Sequence, residues 1–226
     1  MSQFEIDIKN AIKQSLSKFE SNVFDDLYHL FQSYFERSCG NMMQLRKRTQ
    51  KTKGECFEVF CSLFLKEKGY NSWLLSELTE QQRQQFNLGR QDVGIDIVAE
   101  KNGEYYPIQC KFRKPTKDCK GRQVHRVVWK DLSTFLSLCE RTGGEKGWKK
   151  HIIMTNADYC CWKGKKSNKD YTIGKKTFQK QDRNFWYNMV FKTEKIEEKK
   201  ITETENKISI RELRLKWLNG LNIVNK

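Results

Sequence analysis

The sequence predicts an α/β protein in which a central mixed β-sheet is flanked by helices, with an N-terminal helical hairpin and a C-terminal helix. Three observations predict it. Apolar residues recur at helical spacing at both ends of the chain, Asn102-Gly103 joins two strand-like runs, and 151–155 is a short apolar run of the kind a mixed or parallel sheet buries. A chain of 226 residues with 37% hydrophobic and 12% aromatic content can bury a core, which excludes a disordered polypeptide. No window approaches the roughly 18 consecutive apolar residues of a membrane span. The start, Met-Ser-Gln-Phe-Glu-Ile-Asp, has neither the basic nor the apolar region of a signal peptide. A soluble intracellular protein is expected, with cytoplasm and nucleus equally compatible. The eight cysteines are read as reduced thiols, because helical periodicity of this extent does not belong to a small disulfide scaffold and no Cys-x-x-Cys occurs.

Taken in order, Phe4, Ile8, Ile12, Leu16 and Phe19 mark a first helix, and Val23, Phe24, Leu27, Leu30, Phe31, Tyr34 and Phe35 a second. Ser21 or Asn22 caps the second, with Asp25 and Asp26 in its first turn. The basic run 46–53 is either solvated surface or a phosphate contact. Gly54 to Tyr70 reads as a helix with Phe57, Phe60, Cys61, Phe64 and Leu65 inward and Gly69 as its stop. A strand at 72–75 and a glutamine-rich polar loop at 80–91 follow. Strands at 93–99 and 105–112 flank the Asn-Gly turn, and a helix is expected from about Val124 to Arg141. The stretch 163–183 reads as a mobile basic loop, 184–191 as another strand, 194–205 as a charged linker and 208–221 as a last amphipathic helix. These readings divide the chain into 1–50, a core at 51–192 and an appendage at 193–226.

The formal charge of +15 points to a polyanionic partner, nucleic acid before membrane, because the bases are spread over loops and not along one amphipathic helix. Plain solubility is the alternative reading.

The Asn-Gly turn also sets a register. With 102 and 103 at its centre, Lys101 faces Glu104 and Asp96 falls opposite Gln109. Alternation then places Asp96, Gln109 and Lys111 on one face, and Ile95, Ile97, Ile108 and Cys110 on the other, unless a one-residue bulge intervenes. A carboxylate flanked by two isoleucines is costly to bury unless it is paired or bound to a cation. With Glu58 or Glu55 from the preceding helix, the cluster supplies hard oxygens and an ammonium. Such donors suit Mg2+ or Mn2+ and the hydrolysis of a phosphodiester. The plain alternatives are a cross-strand ion pair of Asp96 with Lys111 and a solvent-facing Glu58.

Gly54-x-x-Phe57-Glu58, then Gly94-Ile95-Asp96-Ile97-Val98-Ala99, then Ile108-Gln109-Cys110-Lys111-Phe112, resembles the PD-(D/E)xK nuclease superfamily and its Mrr-like restriction endonuclease branch over about residues 54 to 160. Gln109, where the superfamily consensus has an acid, matches that branch. The resemblance implies a restriction-endonuclease-like core and Mg2+- or Mn2+-dependent DNA cleavage. It implies Asp96 as principal metal ligand, Gln109 as a second ligand or water-orienting group, the Cys110 carbonyl as a further ligand, Lys111 at the attacking water, and Glu58 on the metal directly or through water. Glu55 is the fallback for Glu58, and Asp92 for Asp96. DNA contacts are expected from Lys114, Arg122, Arg126, Lys163, Lys165, Lys166, Lys175 and Lys176. Thr155-Asn156 is either a phosphate contact or a turn cap. A decayed, DNA-binding module of the same fold and a Holliday-junction resolvase, which would need a homodimer, are the alternative functions.

Overall fold

A computed structural model of the chain describes residues 2–18, 21–33, 42–89, 94–161 and 167–192, with backbone alone for 42–53. Helix α1 (Gln3–Ser17) and helix α2 (Val23–Ser33) form the expected hairpin. Asn22 caps α2, its Oδ1 accepting from the N–H groups of Phe24 at 3.1 Å and Asp25 at 3.4 Å. Helix α3 (Met42–Glu67) starts well before the expected Gly54, so the basic run 46–53 continues the helix. It stops at Gly69 (φ +81°), where Gly69 N–H donates to Lys66 and Tyr70 N–H to Leu65; the left-handed conformation there is cheap only for glycine.

Strand β1 (Asn71–Leu74) leads through a 3-10 turn, Leu75–Glu77, into α4 (Glu80–Gln85), a short helix where a loop was expected. Thr79 supplies the reason: its hydroxyl accepts from Gln82 N–H and the Gln82 side chain accepts from Thr79 N–H, a reciprocal cap that nucleates the turn. Strands β2 (Ile97–Lys101) and β3 (Glu104–Lys111) pair antiparallel around Asn102 (φ +56°) and Gly103 (φ +78°), with Lys101 opposite Glu104 and Ile97 opposite Ile108 as the turn dictates. Between β3 and the next helix lie three two-residue strands, β4 (Thr116–Lys117), β5 (Gln123–Val124) and β6 (Arg126–Val127). Helix α5 (Trp129–Arg141) therefore begins later than expected, because Val127 is spent in a strand and buried. Strand β7 (His151–Thr155) is buried throughout and is followed by β8 (Tyr159–Cys160), β9 (Asp170–Ile173) and α6 (Lys175–Gln179). The expected mobile loop is thus ordered from 167 onward. Residues 184–191 belong to a helix, α7 (183–192), not a strand: Trp186, Met189 and Val190 are buried at helical spacing, and Asp182 accepts from Phe185 N–H at 2.7 Å to start it. The linker 194–205, the helix at 208–221, Asp92, Lys163, Lys165 and Lys166 lie outside the described residues.

The main sheet has the order β1-β2-β3-β7-β9, with β1, β2 and β3 antiparallel in sequence and β7 and β9 parallel to β3. It is the mixed, helix-flanked sheet of a restriction-endonuclease-like fold. On one face Ile97, Ile108, Cys110, Ile152 and Met154 pack against α1, α2, α3 and α7 in a core rich in aromatic rings. On the other, Val98 and Ile153 pack against Leu132 and Phe135 of α5. Because β3, β7 and β9 run parallel and β2 opposes them, Asp96, Lys111, Thr155 and Lys175 all reach the same end of the sheet. Substrates of open α/β sheets bind beyond this carboxyl end.

Candidate active site

Asp96 stands just before β2, where the ladder is irregular. Its N–H donates to the Ile108 carbonyl at 2.9 Å, the residue that Ile97 also faces, so two residues oppose one. This bulge corrects the expected face assignment. Ile95 packs with the α5-side core and Ile97 with the α3-side core, and Asp96 turns toward α3. Gln109, in register with Ile153, stays on the α5 side. The bulge has a local cause in Gly94 (φ +135°): a Cβ there would lie 3.3 Å from Phe135 Cα, so the chain passes close under α5 before crossing to the strand.

Asp96 Oδ2 accepts from Cys110 N–H at 2.6 Å, which ties it to the strand carrying Lys111. With Glu58 and Glu55 it lines a cleft of about 680 Å³ between α3, the end of β1 and the first turn of α1, which contributes Glu5. Burial, then the Asp96 and Glu55 carboxylates, push Glu58 up to about 7, and Lys111 acts against that rise. Burial likewise raises Asp96 to about 6, opposed by the Cys110 N–H and by Lys111. Two carboxylates and one ammonium therefore share a field at the sheet edge, and the ammonium alone does not offset the cost of two buried negative charges. Gln109 is 2% exposed, and its Oε1 has no hydrogen-bond partner among the described residues. Such an orphaned acceptor is expensive unless a cation or water serves it.

These donors fit a hard divalent ion. Mg2+ is held by one or two carboxylates and neutral oxygens and keeps several waters, so no larger cluster is needed. Among the described residues no group of three or more histidine, cysteine, aspartate or glutamate side chains is arranged to bind metal. Cys56, Cys61, Cys110, Cys119, Cys139, Cys160 and Cys161 form no disulfide.

The residues around the edge hold it still. Thr155 Oγ1 donates to the Lys111 carbonyl at 2.5 Å. Buried Asn156 accepts from Arg113 N–H at 2.7 Å and donates to the Arg113 carbonyl at 2.8 Å. Thr155-Asn156 is thus a backbone clamp on the segment after Lys111. Arg113 pairs with Asp131 of α5 at 2.7 Å. Tyr28 of α2 is hydrogen-bonded to His125 Nε2 at 3.0 Å, while Asp158 accepts from His125 N–H at 2.9 Å. These last contacts join residues about thirty to a hundred positions apart, and no local pattern in the sequence could have signalled them. Of the expected DNA contacts, Lys114, Arg122, Arg126 and Lys176 are exposed and Lys175 is half-buried; Arg122 is also bound to Asp118.

An acidic residue just before β2, Gln-x-Lys at the end of β3 and a helix glutamate across the cleft, on this sheet, stand in the chain order of a PD-(D/E)xK-type domain. The model of an Mrr-like catalytic family described as "Restriction endonuclease" matches residues 64–220, and the chain belongs to that family. The match begins after Glu55 and Glu58, so it bears on the strands and not on the helix carboxylates. Among solved structures, the chain is similar to one titled "Crystal Structure of Protein of Unknown Function AF1548", at 21% identity and a TM-score of 0.32, covering 52% of this chain. The chain spans only 55% of that structure's length. No curated protein matches the chain. No helix among the described residues is long and apolar enough to cross a membrane.

Proposed function

We propose that the protein is a divalent-metal-dependent DNA endonuclease of Mrr-like type. One observation carries the proposal: the Asp96 and Glu58 carboxylates are held together in a cleft at the sheet end where Lys111 emerges, with more negative charge than the protein itself neutralises. Asp96, Glu58 and the Cys110 carbonyl would hold Mg2+ or Mn2+; Gln109, on the other face of the sheet, is not in reach of this pair. A divalent ion held there would supply Lewis-acid polarisation of a phosphodiester and a water of lowered pKa. Asp96, which lines the cleft, is kept in place by the Cys110 N–H, which fixes the orientation of its carboxylate. Lys111 orients the attacking water and offsets charge that develops on the phosphate. Thr155 fixes the Lys111 backbone, and with it the angle at which the ammonium leaves the strand.

The test is conversion of supercoiled plasmid, methylated and unmethylated, to nicked or linear forms. We expect cleavage with Mg2+ or Mn2+ that is lost in EDTA and in Lys111→Ala. Full activity of Lys111→Ala would refute the assignment, and a wild-type protein that binds plasmid without ever cutting it would favour the decayed DNA-binding module.

A further inference from the structure

Residues 113–126 carry six basic side chains and one acidic one. They leave the sheet immediately after Lys111, and the activity proposed above needs only Lys111 and what precedes it. The segment is a two-stranded ribbon: β4 and β5 pair antiparallel, Thr116 with Val124 and Lys117 with Gln123, and nearly every residue from Lys114 to Gln123 is exposed. Its tip is built around Asp118. One carboxylate oxygen accepts from the N–H groups of Lys120 and Arg122, both at 2.8 Å, and the other takes the Arg122 guanidinium at 2.8 Å. The single acidic side chain of the ribbon is therefore used as an internal brace, and Lys117 and Lys120 flank it on the surface.

Both legs are anchored at the sheet end. Asn156 grips Arg113 at one leg; at the other, His125 N–H donates to the Asp158 carboxylate and Asp158 N–H to the His125 carbonyl, each at 2.9 Å, while Tyr28 meets the His125 ring. An exposed loop with no such fixation would lose entropy on binding; this one is already ordered. From Arg113 to Asp118, at about 3.3 Å per residue, the ribbon reaches on the order of 16 Å at most. The major groove of B-DNA, about 12 Å wide and 8.5 Å deep, admits a two-stranded ribbon, and the minor groove at about 6 Å does not.

We propose that the 113–126 ribbon inserts into the major groove of duplex DNA, where Lys117 and Lys120 reach base edges or the flanking phosphates, and so sets the position of the phosphodiester presented at the Lys111 end of the sheet. The inference rests on the DNA-cleaving reading for its choice of ligand. In its favour, lysine and arginine contacts to guanine are the commonest base readout in that groove.

The test measures binding by the full-length Lys111→Ala protein, so that cleavage plays no part. Two duplexes of one sequence are compared, one unmodified and one whose cytosines carry glucosylated hydroxymethyl groups that fill the major groove. We expect glucosylation to weaken binding about tenfold or more, and saturation with netropsin, a minor-groove ligand, to leave it unchanged. Asp118→Ala in the same background adds one net positive charge and unbraces the tip, so a purely electrostatic surface would bind more tightly and an inserted ribbon more weakly. Equal binding to both duplexes, or tighter binding by Asp118→Ala, overturns the proposal. Plasmid cleavage by the wild type alongside either result would leave the nuclease reading standing; a groove-dependent complex with no cleavage would sink that reading and keep this one.

Discussion

The cleft at Asp96 and the ribbon that begins two residues beyond Lys111 have opposite electrostatic character. Glu5, Glu55, Glu58, Glu77 and Asp96 line the cleft with Lys66 as the only basic residue among the described ones, whereas the ribbon has six basic residues to one acidic. A DNA backbone is drawn to the second region and repelled from the first. The difference teaches that grip and chemistry are separated in this fold. On the proposed reading, affinity would reside in exposed loops on a rigid end of the sheet, and the cleft would repel phosphate until a cation enters it.

Breaking the acidic side produces the largest effect. Asp96→Asn keeps an acceptor for the Cys110 N–H but removes the charge. Plasmid cleavage is expected to fall by about 10²–10³-fold or more, while DNA affinity in EDTA rises because a repulsive charge is gone. Weaker binding by this variant would contradict the division between the regions. Asn156→Ala strikes the joint between them: two hydrogen bonds to a buried site are lost, at a cost of about 1–3 kcal/mol each. Denaturant unfolding should show that loss, with cleavage and affinity falling together. On the basic side, Lys117→Ala with Lys120→Ala is expected to reduce the slope of log affinity against log salt by about two. Cleavage at saturating DNA should fall as well, because these contacts also position the phosphodiester at the Lys111 end.

The smallest effect is on pH dependence. Glu58 and Asp96 rise from ordinary values of 4.5 and 3.8 to about 7 and about 6, so the folded protein holds protons that the unfolded chain releases. Their contribution is fully present below the ordinary values and is lost as pH rises through 6 and then 7. The metal-free protein should therefore lose melting temperature across that window, read as the difference from Glu58→Gln, and Mg2+ should restore it. An identical profile in Glu58→Gln would show that the cleft imposes no such strain.

Much of this arrangement was legible in the chain. Asn102-Gly103 set the β2–β3 register because that dipeptide accepts two positive φ angles, and Gly69 stopped α3 for the same reason. The placement of Asp96 on the face opposite Gln109 was not legible. The turn fixes pairing only as far as the ladder is regular, and the bulge at Asp96 arises from the approach of Gly94 to Phe135, forty-one positions away. Residues 184–191 misled as a strand because Phe185-Trp186-Tyr187 has high strand propensity; burial of Trp186, Met189 and Val190 against the α3 side overrides it. The clamps by Asn156, Asp158 and Tyr28 were beyond any local pattern, since each joins segments that only the finished sheet brings together.

Titration of Mn2+ into the metal-free protein, wild type beside Asp96→Asn and Glu58→Gln, addresses the central claim most directly. The account predicts saturable binding by the wild type above pH 7, weakened as the pH is lowered through 6, lost in Asp96→Asn and reduced in Glu58→Gln. Equal isotherms for all three proteins would contradict it.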